Sequence, residues 1–388
     1  MTNKTICFIV QNYYEIDPRV QRKANCVLAA GYSVDVIALQ GSSQTGKAYE
    51  VNGVRVYPLK VNKRRGSAFQ YILEYLVFFI LAFIKVTVLM FKRHYQIIDI
   101  NTLPDFLVFS AMIPKILGAK IVLDMHEVMP EFYMSKFNVA EDHWMIRMIK
   151  WQEFLSMRFS DHVMTINEPI KNLLIKRGLS EAKTTVLMNS VDENLLRHKE
   201  NSRVDGRYVM MYHGTLTPIY GLDIALRGFA RVHSHMPGAE FWIVGDGPEL
   251  PLLKSIVNEN HLEEKVKFIG VVPQQQIVNW LVQSDVGVLA TRQDKFLDLS
   301  FSNKLPEYIV MKKPVMMSRI KTIRYYFSED ALAFFEPENE ADLARRMVEL
   351  YSDTDLRENL AKKAAEEYSA ISWDVMRDRY LQLLDAFN

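Results

Sequence analysis

Cysteine is scarce: two in 388 residues, Cys7 and Cys26, both in apolar or helix-like surroundings. That excludes a disulfide framework and fits buried, reduced thiols. Net charge is scarce as well. Lys and Arg number 47 against 46 Asp and Glu, a formal +1, so the total offers nothing for wrapping nucleic acid, and no nucleic-acid partner is expected. His126 and Glu127 do not begin an HExxH pair, because position 130 is Pro, and no Cys or His cluster has metal-ligand spacing. No metal or other cofactor is expected. No GxGxxG or phosphate-loop lysine motif falls at a strand-to-helix junction, and no Ser-His-Asp order appears, which leaves dinucleotide, P-loop and triad-hydrolase chemistry without support. The start, MTNKTICFIVQN, lacks the apolar length and small-residue cleavage site of a secretory signal, so a cytoplasmic protein is expected.

What is present is length and apolar content. At 388 residues and 49% hydrophobic, the chain is too long for one ordinary core, and two domains are expected. The first half alternates short β-branched runs with helical patterns: ICFIVQN, SVDVIALQ, VRVYPL, IIDINT, KIVLDMH, HVMTIN and TVLMNS. Continuous apolar strands separated by helices predict a parallel sheet covered on both faces. The polar stretch RHKENSRVDGR then reads as a linker, after which YVMMYHG, EFWIVGDG, VKFIGVV, VGVLATR, PVMMSR and ALAFFEP restart the rhythm. The expectation is α/β: two doubly wound, Rossmann-like domains, 1–196 and 208–371, facing across a cleft, with 197–207 as linker and a final helix, 372–388, packing back on the first domain.

Strand ends are where such sheets bind ligands. Gly214 in YHGTLTPIYGLD and Gly245 in VGDGPEL can bring backbone N–H groups to an anion, or can simply serve tight turns. In SFSNKLPEY, the residues Ser302, Asn303 and Lys304 lead into a helix that carries Glu307 one turn later. A lysine near orphan helix N–H groups suits a diphosphate, and a carboxylate can accept both hydroxyls of a ribose; a charged helix start is the plain alternative. In the first half, His126 and Glu127 follow a buried strand, and Asp17 and Arg19 lie in the loop after the first strand.

One further element stands apart. Lys60, Lys63, Arg64 and Arg65 precede an almost wholly apolar, aromatic-rich segment from Ala68 whose Glu74 and Lys85 leave an uncharged centre shorter than a bilayer span. Such a pairing suits an anionic membrane surface; a core helix apolar nearly all round is the alternative.

The order DPRV, HE after the fifth strand, MNSVD, HGTL with YGLD, VGDGPE, FIGVV, SNKLPEY with KKPV, and a final SW helix resembles, over the whole chain, the retaining GT-B glycosyltransferases of family 4. The resemblance implies a nucleotide-diphosphate sugar held by the C-terminal domain, a glycan or lipid-linked acceptor held by the N-terminal domain, and metal-independent hexosyl transfer for polysaccharide or cell-envelope synthesis. It assigns catalytic positions to His126, Lys304 and Glu307. Donor binding falls to Gly214, Thr215, Gly245, Arg292, Asp298, Leu299, Ser302, Asn303, Lys304 and Glu307, and the acceptor side to Asp17, Arg19 and Glu127. The enzyme is then expected in the cytoplasm, peripheral on the inner face of the membrane. Two departures accompany the match. The family's second glutamate, eight residues before Glu307, is here Leu299 with Asp298 adjacent, and the usual Arg and Lys of the glycine loop fall on Thr215 and Tyr220. A noncatalytic GT-B partner and a sugar-nucleotide 2-epimerase remain open as alternatives.

Overall fold

The computed structural model describes residues 4–41, 46–61, 68–193, 196, 205–273 and 276–387. The chain forms two compact units, residues 1–189 with 376–388, and residues 190–375. Residues 197–204, most of the expected linker, lie outside the described set, as do Lys63, Arg64 and Arg65.

The first unit is built on strands β1 (Thr5–Val10), β2 (Ser33–Leu39), β3 (Tyr49–Val51), β4 (Val54–Leu59), β5 (Ile97–Asn101), β6 (Lys120–Met125), β7 (His162–Thr165) and β8 (Thr184–Val186). Their spatial order is β3-β4-β2-β1-β5-β6-β7-β8, parallel throughout except for the antiparallel β3–β4 hairpin. All six residues of β1 and all five of β5 are buried, as strands covered on both faces must be. The helices of this unit are α1 (Pro18–Ala29), α2 (Ala68–Arg93), α3 (Met112–Ile116), α4 (Met129–Phe137), α5 (Trp144–Phe159) and α6 (Glu168–Lys176). Asp17 starts α1 by accepting from the N–H groups of Arg19 and Val20, with Pro18 in the first turn.

The second unit has the strands β9 (Tyr208–His213), β10 (Ala239–Val244), β11 (Val266–Gly270), β12 (Val286–Leu289), β13 (Val315–Ser318) and β14 (Ala333–Phe335), all parallel, in the order β11-β10-β9-β12-β13-β14. The order reverses direction between β9 and β12, so the carboxyl end of β9 is the topological switch point. Its helices are α7 (Leu222–Val232), α8 (Leu250–Glu259), α9 (Ile277–Gln283), α10 (Lys304–Val310), α11 (Lys321–Tyr326), α12 (Glu340–Ser352) and α13 (Thr354–Tyr368), followed by α14 (Trp373–Asp385), which belongs to the first unit from Met376 onward.

α2 departs from the picture of a helix buried nearly all round. Phe78, Ala82, Val86, Leu89 and Met90 are buried, but Leu73, Leu76, Val77, Ile80, Ile84, Val88 and Phe91 are exposed. The outward positions recur at helical spacing, so the apolar surface is one continuous stripe.

Candidate functional site

At the carboxyl ends of β9, β10 and β11 lies a pocket of about 280 Å³, lined by His213, Gly214, Thr215, Val244, Gly245, Asp246, Val271, Val272, Ile277 and Glu307. Two of its glycines are required by close approach. Gly214 has φ +123°, and a Cβ there would stand 2.3 Å from Lys304 Cε; Gly245 has φ +145°, and its Cβ would stand 1.9 Å from the Gly214 carbonyl oxygen. The two strand ends are thus pressed together, with the Gly214 N–H donating to Val244 O at 2.8 Å.

Glu307 reaches this pocket from α10, and Lys304, three residues earlier on the same face, passes against its Gly214. Tyr308 fixes the helix from the other side: it is fully buried, its hydroxyl donates to Met211 O at 2.8 Å, and its ring fills the space a Cβ at Gly287 would take. Burial pushes the Glu307 carboxyl up to about 7, with Lys304 pulling against it, and burial brings Lys304 down to about 8. His213 Nε2 lies 3.3 Å from Glu307 Oε2, yet burial and then Lys304 hold the imidazole down to about 3, so it is neutral and the contact is not an ion pair. The acid in the pocket and the ammonium beside its Gly214 therefore each lack full compensation. Hydroxyl donors at Glu307 and an anion at Lys304 would supply it.

The other expected donor residues spread more widely. Thr215 and Gly245 line the pocket, and the Thr215 carbonyl accepts from the Tyr212 hydroxyl at 2.8 Å. Ser302 and Asn303 lead into α10. Arg292 is engaged: its guanidinium donates to Asp223 at 2.8 and 2.9 Å, to Glu338 at 2.6 Å and to Pro218 O at 2.9 Å, so two carboxylates already neutralise it. Asp298 accepts from the Gln293 amide at 3.1 Å and from Lys321 N at 3.2 Å, tying its loop to α11, and Leu299 closes the short turn Leu297–Leu299.

In the first unit, His126 follows β6 and is 5% exposed. Its backbone N–H donates to Thr102 Oγ1 at 3.2 Å, its ring Nε2 stands 3.2 Å from Asp124 Oδ2, and its Nδ1 has no protein partner. Burial lowers the imidazole, and Asp124 opposes the shift. Asp17 is buried and bidentate with Arg19, at 3.2 and 3.1 Å; burial works to raise its carboxyl, but Arg19 outweighs it and holds it low. Burial raises Glu127, with Arg19 opposing.

Sequence reasoning missed a buried charge cluster beside these residues. Lys23 is 3% exposed, and its ammonium donates to Asp99 at 2.9 and 3.1 Å, to Asn101 Oδ1 at 2.8 Å and to Asp124; the Tyr380 hydroxyl donates to Asp99 Oδ2 at 2.6 Å. A signal existed: Asp99 and Asp124 interrupt otherwise apolar strands, and Lys23 stands on the buried face of α1 with Val20, Ala24 and Val27. His213 was also passed over, although it immediately precedes Gly214. Among the described residues, no group of three or more His, Cys, Asp or Glu could hold a metal ion.

Residues 207–353 match the family model described as glycosyl transferases group 1, and residues 16–190 match the glycosyl transferase 4-like domain. The chain is 21% identical over 240 residues to N-acetyl-alpha-D-glucosaminyl L-malate synthase of Bacillus anthracis, covering 56% of this chain and 61% of that protein. Of the first curated relatives it matches, the chain spans 39 to 61% of their own length. Among solved structures, sucrose-phosphate synthase from Thermosynechococcus elongatus superposes with a TM-score of 0.78 at 16% identity, covering 99% of each chain. Anabaena Alr3699/HepE, solved in complex with UDP and glucose, gives 0.73 at 16% identity over 99% of this chain and 100% of that one. These likenesses carry the fold: two Rossmann-like units of the GT-B type.

Proposed function

The chain belongs to the group 1 glycosyl transferases, and from that premise we propose that it moves a sugar from a nucleotide-diphosphate sugar to a lipid-linked or cell-surface glycan precursor, with retention of configuration. The observation that carries this reading is the placement of Glu307 in the glycine-lined pocket at the end of β9, with Lys304 against its Gly214. Glu307 accepts the two hydroxyls of the ribose. Lys304 meets the diphosphate, and its charge stabilises the negative charge that develops as the glycosidic bond to the phosphate breaks. The leaving diphosphate takes part in removing the acceptor's proton, so no carboxylate pair and no metal ion are needed for the step. In the first unit, the neutral His126, with Nδ1 unpartnered, is assigned a hydrogen bond to the sugar, and Asp17, Arg19 and Glu127 the acceptor side. The UDP held by Anabaena Alr3699/HepE supports a uridine nucleotide as the first donor to try.

A lipid surface as the place of transfer is supported by α2. Leu73–Arg93 is long and apolar enough to cross a membrane by length and composition, but one side of it packs on β2, β4 and the turn Asp105–Ala111. The outward stripe, with Lys92 and Lys60 exposed nearby in sequence, suits insertion into the headgroup boundary. Lys63, Arg64 and Arg65 belong to the same proposed element.

Thermal unfolding with UDP and UDP-sugars tests the donor assignment. A ligand at about 100 times its Kd stabilises the fold by roughly 2.7 kcal/mol. The expected outcome is a shift in the wild type that Glu307→Ala loses. If no nucleoside diphosphate or nucleotide sugar stabilises the wild type, the transferase reading fails in favour of a noncatalytic partner.

A further inference from the structure

We propose that Tyr220 seats Lys304 by presenting its ring face to the ammonium, so that the pocket's cation is held in place without being neutralised. The inference rests on the donor reading above and assigns the diphosphate contact to a lysine–tyrosine pair. Lys304 Nζ lies 3.8 Å from the centroid of the Tyr220 ring and 5.5 Å from that of Tyr212. The stem of Lys304 crosses Gly214 where any side chain would collide with it. Among the described residues, no carboxylate lies within ion-pair distance of this ammonium.

The physical distinction is between two ways of holding a cation. A carboxylate would fix the lysine but cancel its charge, leaving little for an anionic ligand. A ring face attracts the ammonium through its quadrupole and leaves the net charge at +1. Tyr220 is itself fixed. It ends the turn Pro218–Tyr220; Gly221 follows at φ +58°, where a Cβ would stand 2.1 Å from Ala290 O. Arg292 holds the same turn by donating from Nε to Pro218 O at 2.9 Å and from its backbone N–H to Ile219 O at 2.9 Å. Arg292 thus serves the pocket as a clamp on the turn that carries Tyr220. The resemblance places a cation of the glycine loop at position 220; here that position carries the support for a cation supplied from α10.

The test is calorimetric titration of the full chain with UDP and with UMP, for wild type, Tyr220→Phe and Tyr220→Leu. Phe keeps the ring and is expected to bind both ligands within about twofold of wild type, whereas Leu is expected to lose roughly tenfold for UDP and much less for UMP. That split, with rescue by Phe, supports the inference. If Leu binds UDP as the wild type does, or loses UDP and UMP equally, Tyr220 does not seat the diphosphate cation, and the donor reading still stands. If wild type binds neither UDP nor any other nucleoside diphosphate, both fall together.

Discussion

The two units share one architecture and hold their buried lysines in opposite ways, the first against carboxylates and the second against a tyrosine ring. In the first, the buried ammonium of Lys23 is met by carboxylates, donating to Asp99 and Asp124, while the outward side of α2 presents Leu, Val, Ile and Phe. In the second, the outward positions of α13 are Thr354, Asp355, Glu358, Asn359, Lys362, Ala365 and Glu366, and the buried lysine, Lys304, stands beside the pocket against the Tyr220 ring, with Glu307 in the pocket itself. The difference teaches that the layered fold fixes where an element lies, whereas function resides in what the element leaves unpaired.

The sharpest way to break this comparison is to remove one lysine from each unit. Lys23→Met leaves Asp99 and Asp124 buried without their cation and is expected to cost about 3–5 kcal/mol in denaturant unfolding. Lys304→Met removes a charge that burial already disfavours, so stability should stay within about 0.5 kcal/mol or rise, while UDP binding falls at least roughly tenfold. Equal destabilisation by the two variants would show that the pocket lysine is as structural as the buried one.

Next in size is the surface contrast. Changing Leu76, Ile80, Ile84 and Val88 together to Gln is expected to lower cosedimentation with anionic vesicles by roughly a hundredfold, since four apolar side chains no longer leave water. Glu358→Gln with Lys362→Gln on α13 should change nothing. Recovery of the α2 variant equal to wild type would remove the membrane proposal.

The smallest effect is the pH dependence of the empty pocket. Folded, Glu307 keeps its proton up to about pH 7; unfolded, it loses it near its ordinary value of 4.5. Between those values the native state binds more protons than the unfolded one, so stability falls as pH rises through that window. Glu307→Gln cannot ionise, and its stability at pH 8 relative to pH 4.5 should exceed the wild type's by on the order of 2 kcal/mol. The same slope in both proteins would mean that Glu307 is solvated like a surface acid.

Much of this was legible in the chain. Every run read as a strand overlaps one, because β-branched stretches with no polar alternation fit a sheet covered on both sides. The short β3 escaped notice, although Asn52 and Gly53, both at positive φ, mark its two-residue turn to β4. Glu307, Gly214 and Gly245 stood out because each lies where a strand end or loop leads into a helix, a local signal, although the approaches of Lys304 to Gly214 and of Gly214 to Gly245 join residues distant in sequence. The partners of Lys23 lie 76 to 101 residues off, Tyr380 is 281 from Asp99, and Tyr220 is 84 from Lys304, distances over which no periodicity carries information. Arg292 looked like a free cation for the same reason: Asp223 and Glu338 are distant in sequence and adjacent in space.

The hydroxyl of Tyr380 also sets an order in time. Residues 190–375 form the second unit as one uninterrupted stretch, so that unit has all its parts as soon as they leave the ribosome. The first unit does not. Asp99 receives its tyrosine only from α14, at the far end of the chain, so the domain made first is the one completed last, and it must wait, with its charged core one donor short, for the whole of its neighbour to be synthesised.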